Sequence, residues 1–139
     1  MIVWGGEYHD TCCLSSTEPL QSGGSIDILY SPSGFSNNIA GDDSGCSDSG
    51  VWIDWSAPSY WCDGGSGSRT FDILRDGTPI ATGLSESTLS YTDTTGDNGV
   101  TYLYQVRANN GCGLSTTTTG VSAADNIGPS PDEVSNFDD

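Results

Sequence analysis

The chain of 139 residues contains no lysine, a single histidine (His9) and only three basic side chains, which are the arginines Arg69, Arg75 and Arg107. Against these stand 19 aspartates and glutamates, which give a formal net charge of −16 at pH 7. A surface of this charge repels phosphate groups and anionic lipid headgroups, so we expect no nucleic-acid partner and no membrane insertion. The absence of lysine also excludes intramolecular isopeptide cross-links, which require a lysine amine.

Long apolar runs and helix-forming residues are scarce as well. No apolar stretch approaches the roughly 20 residues that a membrane-spanning helix needs. No signal-peptide pattern is visible, so an exported protein would be represented here by its mature form or by a fragment. Ala, Leu and Glu together account for 18 residues, whereas Thr, Val, Tyr, Trp and Gly together account for 49, of which 19 are Gly. This balance predicts strands and turns in place of helices.

The sequence offers little material for catalysis. His9 has Glu7 and Asp10 nearby but no nucleophile elbow and no zinc-binding helix around it, so we interpret it as an ordinary surface or strand histidine. The carboxylates are mostly aspartates in loops, and no pair is singled out by spacing as a hydrolytic pair. We therefore expect a protein that is not an enzyme and has no catalytic residues.

Calcium is the one cofactor that the loop carboxylates suggest, because a hard cation prefers carboxylate and carbonyl oxygens. No EF-hand pattern is present, and no other cofactor is expected. The first candidates for calcium ligands are Asp42, Asp43 and Asp48, which lie in one Gly/Ser-rich stretch.

Residues 50–124 consist of short segments in which apolar and polar side chains alternate. Examples are GVWIDWS (50–56), RTFDILRD (69–76), STLSYTD (87–93) and VTYLYQVRAN (100–109), separated by Gly/Asn/Asp-rich turns. Six or seven strands at this spacing predict an all-β antiparallel sandwich. The predicted core consists of the inward-facing residues of these segments: Val51, Ile53, Trp55, Phe71, Ile73, Leu89, Tyr91, Tyr102, Tyr104 and Val106.

The charged tip Arg75-Asp76-Gly77 lies between two of these segments. Its order is not the Arg-Gly-Asp of integrin-binding sites, so an adhesion signal is absent. Asp-Gly between alternating apolar residues is typical of a two-residue hairpin turn with positive φ angles. We therefore predict a turn here and no chemical site.

Three features of the sequence resemble those of a known family. They are Trp55, the strand and turn Phe71–Gly77, and the segment Asn98–Asn109, in which Tyr102 stands at the place of a tyrosine corner. The segment 36–124 resembles a fibronectin type III-like module, an immunoglobulin-like β-sandwich carried by secreted bacterial proteins. The resemblance implies seven antiparallel strands. It departs from the family where Thr94 and Thr95 stand in place of an expected leucine.

The two flanking segments are less regular. Residues 1–35 contain two candidate strands, Ile2–Trp4 and Ile26–Tyr30, and form an N-terminal β extension or the end of a preceding module. Residues 125–139 are acidic and contain two prolines, which is typical of a tail or linker.

Five cysteines in a lysine-free, Ser/Thr-rich chain favour disulfides and an extracellular or cell-surface location over a metal site. In a sandwich of the kind that the chain resembles, the loops holding Cys62 and Cys112 lie at one pole, which implies a bond between them. Cys46 would then pair with Cys12 or Cys13. The rival pairing is Cys46 with Cys112, and the odd count leaves one cysteine free or linked to another subunit.

Several aromatic residues outside the predicted core suggest a contact surface. Trp52 faces away from the core side of its strand, and Tyr60 and Trp61 lie in a loop, so the three form a candidate interaction surface. It would bind a neighbouring module, an identical subunit or a carbohydrate.

Three functions fit these features. The first is a non-enzymatic extracellular structural or interaction module that serves spacing, adhesion or assembly. The second is a subunit of an extracellular filament or pilus held together by strand pairing between subunits. The third is a carbohydrate- or calcium-binding accessory domain of a secreted hydrolase.

Overall fold

The alternating segments form β-strands throughout the part of the chain that the computed structural model describes, residues 30–65 and 67–127. Eight strands and no helix occur within these ranges. The strands are β1 (Asn38–Asp42), β2 (Val51–Trp55), β3 (Thr70–Arg75), β4 (Thr78–Ser85), β5 (Ser90–Asp93), β6 (Tyr102–Asn109), β7 (Ser115–Thr117) and β8 (Val121–Ala123).

The strands form two antiparallel sheets that pack face to face. One sheet has the order β1-β2-β5, and the other has the order β4-β3-β6-β7, with β8 also paired to β6. β7 pairs with the C-terminal half of β6 and β8 with its N-terminal half, so the two short strands share one position at the sheet edge. The predicted all-β antiparallel sandwich is confirmed. The strand count is eight where seven were expected, because the last expected strand is divided in two.

Thr118 causes this division. Its backbone N–H donates to Val106 O, and its hydroxyl accepts from Val106 N at 2.9 Å and donates to Asn38 Oδ1 at 2.7 Å. The side chain thus takes the place of a regular ladder bond and ties the two sheets together. Gly120 follows with a φ of +93°, and a Cβ there would come within 2.6 Å of Gln105 Cγ. Only glycine fits at this position, where the chain turns between β7 and β8.

The core lies between the sheets and contains most of the predicted residues. Seven of them are buried, and Tyr91 and Tyr102 are partly buried and pack against the core. The prediction for Leu89 is wrong: it is 44% exposed and precedes the first residue of β5. Its backbone carbonyl accepts from Trp55 N at 3.0 Å, so the main chain of Leu89 is bonded while its side chain is left in solvent. The seven buried residues are Val51, Ile53, Trp55, Phe71, Ile73, Tyr104 and Val106.

The hairpin between β3 and β4 is confirmed as a two-residue turn. Asp76 and Gly77 have φ angles of +50° and +80°, the combination that a tight hairpin turn of this kind requires. Asp76 is also bonded to the neighbouring strand, since its N–H donates to Leu103 O and its Oδ1 accepts from Leu103 N, both at 2.8 Å. The turn is therefore fixed against β6 as well as closed on itself.

The described chain enters the sandwich at one pole and leaves it at the other. At the entry pole, Ser33 pairs with Tyr60, and Tyr30 O accepts from Asn110 Nδ2 at 2.8 Å. At the exit pole, Asp125 O accepts from Gly99 N at 2.7 Å. We define the entry pole by residues 30–35, 56–69 and 110–114, and the exit pole by residues 43–50, 76–77, 94–101 and 124–127.

Packing extends beyond the predicted module limits of 36 and 124. Phe35 is 5% exposed and its ring lies 5.9 Å from that of Phe71, while Asp125 is 5% exposed. Sequence reasoning missed Phe35 because it follows no alternating pattern. The expected N-terminal strands, His9, Cys12, Cys13 and the tail beyond residue 127 lie outside the described residues.

Candidate functional site

Each of the three arginines of the chain forms an ion pair with a buried aspartate. The aspartate side chains are only 0–8% exposed, and the arginines are 22–33% exposed. The arginine heads are therefore held by the fold and not freely available to an anionic ligand. The pairs are Arg69 with Asp63, Arg75 with Asp93, and Arg107 with Asp72, at N–O distances of 2.7, 2.8 and 2.7 Å.

Asp63 joins the two loops of the entry pole. Its carboxylate accepts two bonds from Arg69, Nε to Oδ2 at 2.8 Å and Nη2 to Oδ1 at 2.7 Å. It also accepts the backbone N–H groups of Gly65 and Gly111 at 2.9 and 3.0 Å. The bonds from Arg69 are the main reason that the pKa of Asp63 lies well below its usual range. The Arg69 guanidinium also lies 5.4 Å from the centre of the Trp61 ring.

Asp93 is the centre of a second buried network, between the sheets. It accepts from Arg75 Nη1 at 2.8 Å, from Tyr104 Oη at 2.9 Å and from the hydroxyl and N–H of Thr95 at 2.6 and 2.9 Å. Burial alone would raise the pKa of Asp93, but these donors outweigh it and the pKa is lowered. Burial and the bond to Asp93 raise the pKa of the Tyr104 phenol. Arg75 also stacks 4.8 Å from the Tyr102 ring centre.

Asp72 holds the middle of β3 against its neighbours. It accepts from Arg107 Nη2 at 2.7 Å, from Asn109 Nδ2 at 2.9 Å and from Gly83 N at 2.9 Å. Burial acts to raise its pKa, and the bonds from Asn109, Gly83 and Arg107 together lower it. All three aspartates are therefore ionised at neutral pH, and each carboxylate accepts four hydrogen bonds. Groups in this state are suited to holding the fold and poorly suited to exchanging protons with a substrate.

The expected aromatic surface is only partly present. Tyr60 is 45% exposed, but Trp61 is partly buried, and its ring centre lies 5.5 Å from that of Phe71. The indole of Trp61 thus packs beside Phe71 at the entry pole, and a part for this residue in an interaction surface stays a prediction. Trp52 is partly buried on the other face of its sheet, where its ring lies against Gly41.

The predicted bond between Cys62 and Cys112 is wrong, although the expectation that their loops meet is correct. Cys112 is a free, exposed thiol whose Sγ lies 3.9 Å from Asp63 O. Cys62 is buried and disulfide-bonded. Cys46 is also free and exposed, so neither its expected pairing with Cys12 or Cys13 nor the rival bond to Cys112 is formed. The Asp63 network joins the two loops.

The acidic candidates for calcium lie at the exit pole, together with an acid that sequence reasoning missed. Asp42 accepts the N–H groups of Ser44 and Asn126, both at 3.1 Å. Asp48 and Asp42 both act on the carboxyl of Asp125, which follows the last strand. The only sequence signal for Asp125 is its position two residues after the Val-Ser-Ala of β8. Asp43, the remaining candidate, is exposed, and its backbone N–H donates to Gly50 O at 2.9 Å.

Asp125 differs from the three paired aspartates in its surroundings. It is 5% exposed, its Oδ2 accepts from Gly50 N at 2.9 Å, and its buried Oδ1 has no hydrogen-bond partner among the described residues. Burial raises its pKa, the Gly50 amide offsets part of this, and Asp48 and Asp42 raise it further. We define Asp42, Asp48 and Asp125 as the exit acids. Within residues 30–65 and 67–127, no group of three or more His, Cys, Asp or Glu side chains converges as a ready metal centre.

Two open grooves lie on the described surface, and neither brings an acid and a base together. One, of about 270 Å³, runs along the ends of β1 and β2 and includes Ile39, Asp54 and Trp55. Trp55 Nε1 is buried without a hydrogen-bond partner in the described part of the chain. The other groove, of about 450 Å³, is lined at the exit pole by Asn98, Gly99, Asn126 and Ile127.

The described ranges include no helix with the length and apolar character to cross a membrane. The sequence matches no protein-family model and no curated protein.

Proposed function

We propose that this chain is a non-enzymatic extracellular module that spaces and connects the segments on either side of it. The observation that carries the proposal is the position of its two ends. Residue 30 lies at the entry pole and residue 127 at the exit pole, with the strands running between the two poles. A module with this path separates its two flanking segments by its full length. The eight residues of β6 alone cover about 26 Å at about 3.3 Å per residue.

The polar interior supports a structural function. Asp63, Asp72 and Asp93 are the buried carboxylates with the most donors, and each is held by an arginine and by backbone or side-chain N–H and O–H groups. Such groups stabilise the fold through their ionised form, because hydrogen bonds to a charged group are about twice as strong as those between neutral groups. This use of charge favours a module over a hydrolase.

The strand order supports the proposed relationship to fibronectin type III-like modules. A three-stranded sheet faces a sheet that is four positions wide, with β7 and β8 sharing the last position. Tyr102 also makes a contact of the tyrosine-corner kind: its hydroxyl accepts from Asp97 N at 3.2 Å and donates to Asp97 Oδ2 at 3.3 Å. The hydroxyl thus reaches back five residues to hold the crossing before β6.

The bonding of Cys62 supports an extracellular or cell-surface location, since stable disulfides belong to oxidising compartments. The acidic, lysine-free surface agrees with partners that are other protein modules. A carbohydrate platform is less well supported, because Trp61 is taken up by packing against Phe71.

The proposal is tested with two full-length chains joined directly in tandem and examined by small-angle X-ray scattering. We expect the maximum dimension to exceed that of the single chain by at least about 26 Å, the length of β6. The same tandem with an inserted Gly/Ser linker of about 20 residues is the flexible control. A directly joined tandem that is no longer than a single chain would contradict the proposal. Turnover of a peptide or polysaccharide that is lost in Asp93→Asn would contradict it too.

A filament subunit is the second candidate, and the edge strand β4 is the feature that bears on it. β4 has eight residues and pairs only with β3 among the described strands. However, Pro79 has no N–H to donate and the N–H of Gly83 is bonded to Asp72, which weakens this edge as a template for another strand. Sedimentation velocity distinguishes the candidates: a single monomeric species favours the spacer, and concentration-dependent polymers favour the filament.

A further inference from the structure

We propose that Asn98 at the exit pole is a modification site, at which the side-chain amide is lost spontaneously through a cyclic imide formed with the backbone nitrogen of Gly99, and that the fold withholds the same reaction from Asn110. The sequence contains two Asn-Gly dipeptides, Asn98-Gly99 and Asn110-Gly111. The first lies at the exit pole and the second at the entry pole. The proposal does not depend on the spacer function.

The reaction needs only water and a base, and it balances in two steps. The nitrogen of Gly99, after losing its proton to a base in solution, bonds to Cγ of Asn98, and the bond from Cγ to Nδ2 breaks, so that ammonia leaves. Water then opens the imide. Opening at Cγ gives an aspartate, and opening at the main-chain carbon gives an isoaspartate, whose backbone passes through the side chain. Glycine obstructs this ring closure least, because no Cβ stands beside its nitrogen.

The exit pole leaves the first dipeptide accessible. Asn98 and Gly99 are both exposed, and they line the open groove of about 450 Å³, which has room for water. Gly99 has a φ of +75°, and a Cβ built on it would meet nothing within 4 Å. The turn is closed by a bond from Val100 N to Asp97 O at 3.2 Å. Because exposed side chains change rotamer freely, the Asn98 amide can rotate toward the nitrogen of Gly99.

A backbone hydrogen bond opposes the reaction at this pole. Gly99 N donates to Asp125 O at 2.7 Å, so the nitrogen must first leave this acceptor. Asp125 follows β8, which has three residues, none of them fully buried. Short elements with few buried apolar contacts open locally at low free energy. We therefore expect brief openings of residues 121–127 to release the nitrogen of Gly99.

The entry pole holds the second dipeptide closed. Asn110 is 3% exposed, and its side-chain amide makes four hydrogen bonds to backbone groups. Gly111 N donates to Asp63 Oδ2 at 3.0 Å, and that carboxylate is held by Arg69. The reaction at Asn110 would break these bonds, and leaving buried donors and acceptors unpaired is costly. The partners of the amide are Tyr30 O and Trp61 O, which accept from Nδ2 at 2.8 and 3.0 Å, and the N–H groups of Cys112 and Leu114, which donate to Oδ1 at 3.0 Å each.

The modification alters one pole only. Either product adds a carboxylate to the turn, and isoaspartate also lengthens the backbone of the turn by one carbon. Two contacts depend on this turn, since the Tyr102 hydroxyl bonds to Asp97 and the Gly99 nitrogen bonds to Asp125. Because the change is one-way and needs no second protein, the exit pole alone records the age of the molecule.

The experiment is incubation of the full folded chain in mildly alkaline buffer at physiological temperature, followed by denaturation, digestion with trypsin and tandem mass spectrometry. Trypsin cleaves after Arg75 and Arg107, so the two asparagines lie in separate fragments. We expect Asn98 to lose its amide at least about tenfold faster than Asn110, because only the Asn110 amide must first give up buried hydrogen bonds. Both aspartate and isoaspartate should appear at position 98, and electron-transfer fragmentation distinguishes them.

Two controls separate the effect of the fold from that of the local sequence. In guanidinium chloride, the unfolded chain should lose both amides at comparable rates, because the bonds that protect Asn110 are absent. Asn98→Gln retains an amide but lengthens the side chain by one methylene, so the same imide cannot form. We expect amide loss at this position to fall at least about tenfold, since misplacing the reacting groups is costly in rate. Asn98 is exposed, so circular dichroism should show an unchanged fold for this variant.

Equal rates at Asn98 and Asn110 in the folded chain would overturn the proposal. A product that contains aspartate alone would overturn it too, because direct hydrolysis of the amide gives no isoaspartate. Amide loss from Asn98 only after unfolding would do the same, since the bond to Asp125 O would then lock the turn. A preference for Asn98 that persists in guanidinium chloride would show that the fold does not protect Asn110. Faster loss at Asn98 with isoaspartate, and a preference that vanishes on unfolding, supports the proposal.

Discussion

Asp63 at the entry pole and Asp125 at the exit pole are both buried aspartates that tie a loop to a distant part of the chain. Within the described residues, Asp63 has four donors, two from Arg69 and two from backbone amides, whereas Asp125 has one. The pKa of Asp63 is lowered, and that of Asp125 is raised. The same residue type is thus satisfied by the protein at one pole and left incomplete at the other.

This contrast indicates where to look for function in a chain with so few basic residues. Every arginine is used to neutralise a carboxylate that the fold cannot expose, and none remains for the exit acids. A buried acid without an arginine is therefore the exception among the described residues.

The largest expected effect is at the entry pole. Asp63→Ala removes an anion that is 1% exposed and leaves Arg69 and the amides of Gly65 and Gly111 without their acceptor. We expect the free energy of unfolding to fall by about 3 kcal/mol, the lower end for breaking a buried ion pair, because Arg69 is partly exposed. Urea denaturation at neutral pH measures it. Asp125→Asn is the comparison and should leave the free energy of unfolding unchanged or increased, because it removes a buried negative charge that has one donor among the described residues. A larger loss of unfolding free energy in Asp125→Asn than in Asp63→Ala would contradict the view that Asp63 is the better satisfied of the two aspartates.

The next effect is on acid stability. The pKa values of Asp63 and Asp72 are lower in the folded than in the unfolded chain, so their stabilising contribution is complete above the unfolded value of about 3.9. It is lost as the pH falls through the lowered folded values. For each such carboxylate, we expect the free energy of unfolding to fall by about 2 kcal/mol between about pH 5 and pH 2. Urea unfolding across this range measures the slope, and Asp63→Asn should reduce it. An unchanged slope in Asp63→Asn would refute the assignment.

The smallest effects are expected from exposed apolar side chains at the two poles. Leu89, opposite the end of β2 at the entry side, is 44% exposed, and Ile127 at the exit is 54% exposed. Leu89→Ala and Ile127→Ala should each change the free energy of unfolding by less than about 0.5 kcal/mol. Thermal unfolding by circular dichroism checks this. A loss of about 2 kcal/mol in Leu89→Ala, typical of a buried leucine, would restore Leu89 to the core.

The fold was accessible to sequence reasoning because alternation of side chains along a strand is a local signal. Val51, Ile53 and Trp55 face inward as their spacing requires, and Asp76-Gly77 forms the turn that its composition requires. The division of the last strand was not accessible. It depends on the Thr118 hydroxyl meeting Asn38, a residue 80 positions away, and a run of four threonines gives no sign of which one turns inward.

The ion pairs and the cysteine pairing were less accessible to sequence reasoning, because they too depend on contacts between residues that are distant in sequence. The ion pairs join residues up to 35 positions apart, and nothing in the sequence around Asp72 indicates Arg107 as its partner. The pairing of Cys62 with Cys112 was inferred from adjacent loops, and adjacency alone does not set the geometry of a disulfide. The sequence points to Asp42, Asp43 and Asp48 as calcium candidates because they share one stretch, and it gives no sign that Asp125 reaches that stretch in the folded chain.

The path from entry to exit pole has a mechanical consequence. Tension applied to the two flanking segments acts along the strands, and therefore across the hydrogen bonds between β1 and β2, which run perpendicular to them. The bonds of this ladder are then strained together in shear, and none can open without the others. Resistance to pulling is governed by the rate of unfolding, so the sandwich is built to yield abruptly at high force and not to stretch gradually.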